Sequence, residues 1–361
     1  MTMLNVALIF GGRSVGHDVT IKSAQAIYGA LDRKRNSPIL VGIAEDGKWW
    51  LQESMNEFPL HVEPSGSQIT FLPGAGGKAL VHRSNKDDKI IQIDVVLPIM
   101  PEGILQGVLE TAQVPFVGSR MPAPAICMDK QITKRILRDA GLPIARYLAL
   151  TDREEVEFQC AQETLCSRSL FVKPATLHDS IGASKVTCES EFRTAVDLAF
   201  SCDSKVLVEE YVEARELVAA VLQDVEQTTR LNCSWPGEFI LSDEHGFLSY
   251  QAKFSGRGVT FKAKAELGEA VADRVRALSC EAFRVIGCEA LARVDFFMRQ
   301  NGELLINEVG LPSLTPYATF SRIMEASGIP YSDLVQRLFE DAIKHSARAR
   351  TAYTEHGRRC A

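Results

Sequence analysis

Apolar residues near the start of the chain fall in short compact runs, separated by segments with a helical stripe. Asn5–Phe10 is such a run, closed by Gly11 and Gly12. Asp18–Leu31 then carries Val19, Ile21, Ala24, Ile27 and Leu31 at helical spacing. A second run, Ile39–Ile43, completes strand, glycine turn, helix, strand, the opening of a parallel α/β unit. Ile90–Ile99 reads as a later buried strand, Gly103–Ala112 as a helix and Val114–Val117 as a strand. A first, Rossmann-like domain is therefore expected over residues 1–119.

The pattern then changes. Met128–Ala140 is an amphipathic helix bearing Lys130, Lys134, Arg135 and Arg138, stopped by Gly141 and Pro143. Thr151–Glu154 has the form of a capping box and predicts a helix start. Leu170–Pro174 and Ser184–Thr187 read as strands around a polar, glycine-containing loop, and Glu191–Phe200 as a helix. These give a second domain over 120–204. Lys205–Tyr211 and Leu217–Leu222 are apolar strands, and Glu266–Ile286 is a long amphipathic helix ended by Gly287. Leu291–Met298 and Glu303–Val309 form an antiparallel pair around a turn at Gln300, Asn301 and Gly302. Ser332–Lys344 is a last helix. A third domain is expected over 205–345 and a flexible, arginine-rich tail over 346–361.

Composition narrows the function classes. Hydrophobic residues make up 46% of the 361 and charged residues 24%, ordinary for a globular protein of two or three domains. A net charge of −6 argues against a nucleic-acid surface. The nine cysteines form no CxxC pair, which fits reduced thiols better than disulfides or zinc. No apolar run approaches the roughly 20 residues that span a bilayer, and the N-terminus lacks a signal-peptide pattern. A cytoplasmic enzyme, with no membrane or nucleic-acid partner, is expected.

Three segments carry chemistry. In the first, Lys173 projects from a buried strand just before a loop holding Ser180 and Gly182. Backbone N–H groups of such a loop can point at phosphate oxygens, and the lysine adds a point charge; an ordinary hairpin with a solvent lysine has the same pattern. In the second, alternating apolar residues run into Glu209 and Glu210, with Glu216 beyond; Glu209, the backbone around Glu210–Val212 and Glu216 suit a nucleoside, and a solvated charged turn has the same pattern. In the third, Arg293 and Asp295 share one face of a strand, and Glu308 sits on the next. Two carboxylates so placed can hold a magnesium ion, and the guanidinium can stabilise a phosphoryl group in transfer. Charges inside such apolar strands are costly without partners, which favours function over a bare salt bridge.

The order of FGGRSVGHDVTIKSAQ (10–25), ILQGVLE (104–110), VPFVGS (114–119), MDKQITKRILRDAGLP (128–143), VLVEEYVEARE (206–216), YQAKF (250–254), ARVDFF (292–297) and INE (306–308) resembles the D-alanine–D-alanine ligase family. The resemblance runs from Val6 to Ile343. It implies the ATP-grasp fold, three α/β domains with ATP clamped between the second and third, and a homodimer. It assigns ATP phosphates to Lys130, Lys173 and Lys253, with Ser180 and Gly182 in the covering loop. It assigns adenosine to Glu209, Glu210, Val212 and Glu216, and magnesium or manganese to Asp295 and Glu308. Arg293 and Ser180 become the catalytic residues. A mobile loop near Lys253–Lys264 is expected to close over an acyl-phosphate, formed from one carboxylate and attacked by an amine.

The departures from that pattern concentrate on the amino-acid substrates. Gly16 stands where the family has a glutamate, Asp179 where it has a serine, and Phe254 where it has a tyrosine. His178 lies beside Asp179. The usual loop before ILQGVLE is missing. Gly310 aligns with a metal-binding asparagine, Ser313 with an oxyanion glycine, and Ala318 lies near a serine that grips the second substrate. Gly16, His178, Asp179, Phe254 and Ser313 are therefore the expected substrate-site residues. The expectation is an ATP-dependent carboxylate–amine ligase, probing small-molecule partners that are amino acids, with a changed substrate pair. A divergent D-alanine–D-alanine ligase is the alternative, and an ATP-binding protein without ligase activity is the alternative of another class.

Overall fold

The computed structural model describes residues 3–13, 16–52, 58–64, 66–83, 86–100, 103–177, 180–224, 226–227, 229–241 and 258–359. β1 (Leu4–Gly11) is the buried centre of the first layer; Val6 to Phe10 have no exposed surface. α1 (His17–Ala30) packs on it through Ile21, Ala24 and Ile27, the stripe read from the sequence. β2 (Asn36–Ile43) pairs parallel with β1. β3 (Trp49–Gln52), β4 (Ser67–Phe71), β5 (Lys78–Arg83) and β6 (Lys89–Gln92) extend the sheet antiparallel, and β7 (Val95–Pro98) closes its other edge parallel to β1. The order is β6-β5-β4-β3-β2-β1-β7. The single strand expected over Ile90–Ile99 is thus two strands on opposite edges. Asp94 makes the break, its carboxylate accepting from Asn5 N at 2.8 Å. Val114–Val117 contributes only one bridge, Val96 to Phe116. α2 (Gly103–Thr111) follows β7.

α4 (Lys130–Asp139) is the helix expected over Met128–Ala140, and a short α3 (Pro122–Met128) precedes it. Asp129 separates them with an extended backbone, and its Oδ1 accepts from Ile132 N at 3.0 Å as the cap of α4. Both helices pack on the third sheet: Ala123, Cys127 and Leu137 join Val275, Phe283 and Ile306 in one core. The second sheet holds β8 (Tyr147–Leu150), β9 (Leu170–Pro174), β10 (Ser184–Val186) and β11 (Val206–Glu210), in the order β10-β9-β11-β8 and wholly antiparallel. α5 (Phe158–Leu165) and α6 (Glu189–Cys202) cover it. Thr151 does not start a helix; its N–H and hydroxyl are held by the Glu155 carboxylate, and α5 begins at Phe158. Because β11 belongs to this sheet, the expected boundary at 204/205 moves to between Glu210 and Arg215.

The third sheet is built on β12 (Arg215–Gln223), with β13 (Leu231–Cys233), β14 (Gly237–Leu241) and β15 (Val259–Lys262). α7 (Glu269–Ile286) follows, then the expected hairpin β16 (Leu291–Met298) and β17 (Leu304–Gly310). Alternation along β12 serves two cores. Leu217, Ala219 and Val221 face α7, whereas Val218, Ala220 and Leu222 join a cluster that includes Leu8 and Leu97 of the first sheet. α8 (Thr319–Ala326) and α9 (Tyr331–Arg359) complete that second cluster through Phe320, Leu334 and Phe339. The expected tail from residue 346 is helical through Arg359. Among the described residues no helix is long and apolar enough to cross a membrane.

Candidate active site

Lys173 on β9 and Glu209 on β11 project from the same face of the second sheet. In the register Leu207 opposes Lys173, and Glu209 is two residues on. Lys173 Nζ meets Glu209 Oε2 at 2.9 Å. From α4, Lys134 Nζ reaches Glu209 Oε1 at 3.1 Å, without the alignment of a hydrogen bond. The Lys134 side chain is 1% exposed and that of Glu209 3%. Burial pulls the Lys134 ammonium below the usual lysine range, against an upward pull from Glu209. Burial would raise the Glu209 carboxyl, but the two lysines together hold it below its usual range. One carboxylate thus keeps two buried cations together. Lys130, the first residue of α4, donates its N–H to Ala175 O at 2.9 Å and its Nζ to Leu177 O at 2.6 Å. The same Nζ lies 3.7 Å from Glu308 Oε1.

The loop between β9 and β10 turns through two left-handed residues, Ser180 at φ 60° and Gly182 at φ 69°. A Cβ on Gly182 would lie 2.9 Å from Pro174 Cγ, so the chain folds back tightly on the strand that carries Lys173.

On the third sheet, Arg293 donates to Asp295 Oδ2 at 2.9 Å, the pair that alternation predicts on one face. Asp295 stands opposite Glu308 across the β16–β17 ladder. The register then slips between Asp295 and Phe296, which leaves Asn307 without a cross-strand partner. Asn307 Oδ1 is buried and has no hydrogen-bond partner among the described residues. Among the described residues no group of three or more His, Cys, Asp or Glu gathers as a metal cage. Two opposed carboxylates do fit a hard cation that shares its remaining ligands with a phosphate. Arg293 and Glu308 line a cavity of about 290 Å³ that also takes in Gly16, Met100, Gln106 and Ser313, between the first and third sheets.

The structure therefore gathers Gly16, Arg293, Glu308 and Ser313 at one cavity, with Lys130 against Glu308. Lys173 and Glu209 form a second group. Glu209 meets Lys134 and Lys173 with its two carboxylate oxygens. The Glu210 carboxylate is likewise taken, accepting from Arg146 Nη2 and Arg299 Nη2, each at 2.8 Å; only its backbone is left for the expected nucleotide contact. Val212 packs with Ala145 and Leu305. Glu216 opposes Phe239 and Phe297. Gly310 lines the cavity at the end of β17, and Ala318 caps α8. His178, Asp179, Lys253 and Phe254 lie outside the described residues, as do residues 255–257 of the expected mobile loop; the rest of that segment includes strand β15, paired with β14. Lys134 and Asn307 were not singled out from the sequence; Lys134 carried a signal, since it follows Lys130 by one helical turn.

Comparison with known proteins covers nearly the whole chain. A family model described as D-ala D-ala ligase N-terminus matches residues 5–119, and one described as D-ala D-ala ligase C-terminus matches residues 136–340. The D-alanine--D-alanine ligase of Bradyrhizobium sp. (strain ORS 278) is 38% identical over 359 residues, spanning 96% of this chain and 97% of that protein. The structure of the D-alanine-D-alanine ligase from Coxiella burnetii matches with a TM-score of 0.85 at 27% identity, covering 100% of this chain and 99% of that one. The VanG D-Ala:D-Ser ligase from Enterococcus faecalis matches with a TM-score of 0.80 at 26% identity, covering 94% of this chain and all of that one.

Proposed function

The chain belongs to the D-alanine–D-alanine ligase family, and on that premise we propose that it joins two D-alanine molecules at the expense of ATP. Its three α/β layers are the ATP-grasp fold of that family. The observation that carries the reading is the shared cavity: Arg293 and Glu308, on paired strands, face the space that Gly16 and Ser313 close, with Lys130 beside Glu308.

Lys130 and Lys173 bind the phosphates of ATP, and the loop through Ser180 and Gly182 covers them. A carboxylate oxygen of the first amino acid attacks the γ-phosphorus, and ADP leaves with the electrons of the broken P–O bond. Arg293 neutralises charge on the phosphoryl group in flight and then on the tetrahedral carbon. The amine of the second amino acid, having lost a proton, attacks the acyl carbon, and inorganic phosphate departs. Asp295 and Glu308 would hold a magnesium ion, which would supply charge neutralisation at the phosphates. Asp295 keeps Arg293 in place before substrate arrives.

The names of the relatives favour D-alanine over the changed substrate pair that the sequence departures suggest. A second reading keeps the chemistry and changes the first amino acid. It rests on Gly16, which borders the cavity without a side chain to meet an ammonium. The test is phosphate release by the purified protein with ATP, magnesium and D-alanine, with mass analysis of the product. Rapid release and D-Ala-D-Ala support the first reading. Silence with D-alanine and turnover with another amino acid support the second. Failure of ADP–ATP exchange with every carboxylate offered would sink both.

A further inference from the structure

A second cavity, of about 450 Å³, is walled by β13, the turn before it, and residues of α7, α8 and α9. It shares no lining residue with the catalytic cavity. Two ladder steps lie between them: Asn232 of this wall opposes Leu222 on β12, and Leu222 opposes Leu291 of the catalytic wall. Three arginines reach the second cavity from three elements, Arg230 from the turn, Arg276 from α7 and Arg337 from α9. None is sealed: Arg230 and Arg276 are exposed, and the Arg337 side chain keeps 34% of its surface. Their donors are mostly unspent. A guanidinium has five N–H groups. Arg276 gives one, through Nη1, to Asp273 at 2.9 Å, and Arg337 gives one, through Nε, to Asp341 at 3.4 Å. Arg230 gives no side-chain N–H to any described residue. Asp224 is the one carboxylate on the wall among the described residues. Its Oδ1 is turned to its own chain, accepting from Glu226 N at 2.9 Å and Gln227 N at 3.2 Å. Three positive groups thus face one negative group, on a chain whose net charge is −6. Like charges brought together from separate elements repel, and the wall does not balance them. A phosphate group carries about 1.5–2 negative charges near neutral pH and offers three acceptor oxygens to guanidinium forks. One such group matches the surplus.

We propose that this cavity is a binding site for a small phosphorylated anion, held by Arg230, Arg276 and Arg337 and separate from the site of the nucleotide phosphates. The inference does not rest on the ligase reading, and a protein silent as a ligase can still pass its test. Inorganic pyrophosphate is titrated by calorimetry into the full-length protein in metal-free, low-salt buffer. The same titration is run on the double variant Arg230→Gln with Arg276→Gln, and on Lys130→Met, which alters the nucleotide site alone. The wild type should bind with a dissociation constant below about 1 mM. The arginine variant should bind at least about tenfold more weakly, the loss expected for one hydrogen bond to a charged group. Lys130→Met should leave that binding within twofold. Where both sites take pyrophosphate, two phases are expected, one lost with the arginines and the other with Lys130. Binding that the arginine changes leave intact overturns the proposal, as does a single phase that Lys130→Met removes. A wild-type constant above about 1 mM also overturns it. Citrate, with three carboxylates and no phosphate, should bind more weakly than pyrophosphate; equal or tighter binding overturns the assignment to phosphate. Both substituted arginines are exposed, so the unfolding midpoint should hold. If the double variant melts lower, Arg230→Gln alone decides: a several-fold weaker affinity supports the site, and an unchanged one overturns it.

Discussion

Replacing Glu209 by glutamine removes one charge and leaves two. Lys134 and Lys173 then face a neutral amide, at side-chain exposures of 1% and 11%. Removing one partner of a buried ion pair costs about 3–5 kcal/mol, because the other is left as an uncompensated buried charge. Lys134 cannot reach water, so the upper part of that range applies to the second sheet and α4. For a cooperative unit of this size each kcal/mol moves the midpoint by roughly 2–4 °C, so a cost of about 4–5 kcal/mol for Glu209→Gln should lower it by roughly 8–20 °C. Calorimetry without nucleotide at pH 7.5 reads this directly. Adding Lys134→Met to Glu209→Gln should restore most of the loss, since a buried pair replaced as a unit is close to neutral. The pH dependence has a definite sign. The folded Glu209 carboxyl lies below its usual value, so its contribution is complete above the unfolded value and fades as the pH falls through the folded one. The reasoning is refuted if the single variant melts within about 2 °C of wild type. It is equally refuted if the double variant is no more stable than the single.

Arg293→Ala should lower turnover by about 10²–10³-fold while leaving the dissociation constant for ATP within a few-fold, measured by single-turnover phosphate release and calorimetry. A near-normal rate would remove the guanidinium from the chemistry. Gly182→Ala forces a side chain into a left-handed backbone and against Pro174; a loss of about 1 kcal/mol or more and a several-fold higher KM for ATP are expected. Cys280 is hydrogen-bonded to Cys233, with Arg284 and Arg276 near, and its thiol is lowered to about 7. Its alkylation by iodoacetamide, followed by peptide mass analysis, should rise with pH and reach half its maximum near pH 7.

What was legible in the sequence was set by short-range period. β1, β9 and β12 announce themselves as apolar runs, and the i, i+2 spacing puts Arg293 and Asp295 on one face before any pairing is known. β4 and β5 escaped because each buries alternate residues only, Ile69 and Phe71 in one and Ala79 and Val81 in the other, among polar neighbours. The boundary at residue 204 failed because no local signal says which sheet takes β11; its partners Lys173 and Leu148 are set by long-range pairing. The site divides in the same way. Lys173, Ser180, Gly182 and Glu308 are visible as motif residues, whereas the use of Glu209 as a bridge between Lys134 and Lys173 is a product of assembly. So is the register slip that isolates Asn307. Motif comparison directs attention to Gly16, where a side chain is missing. Only the packing of α2 onto α3 brings Gln106, 90 residues away in the chain, to the wall of the same cavity.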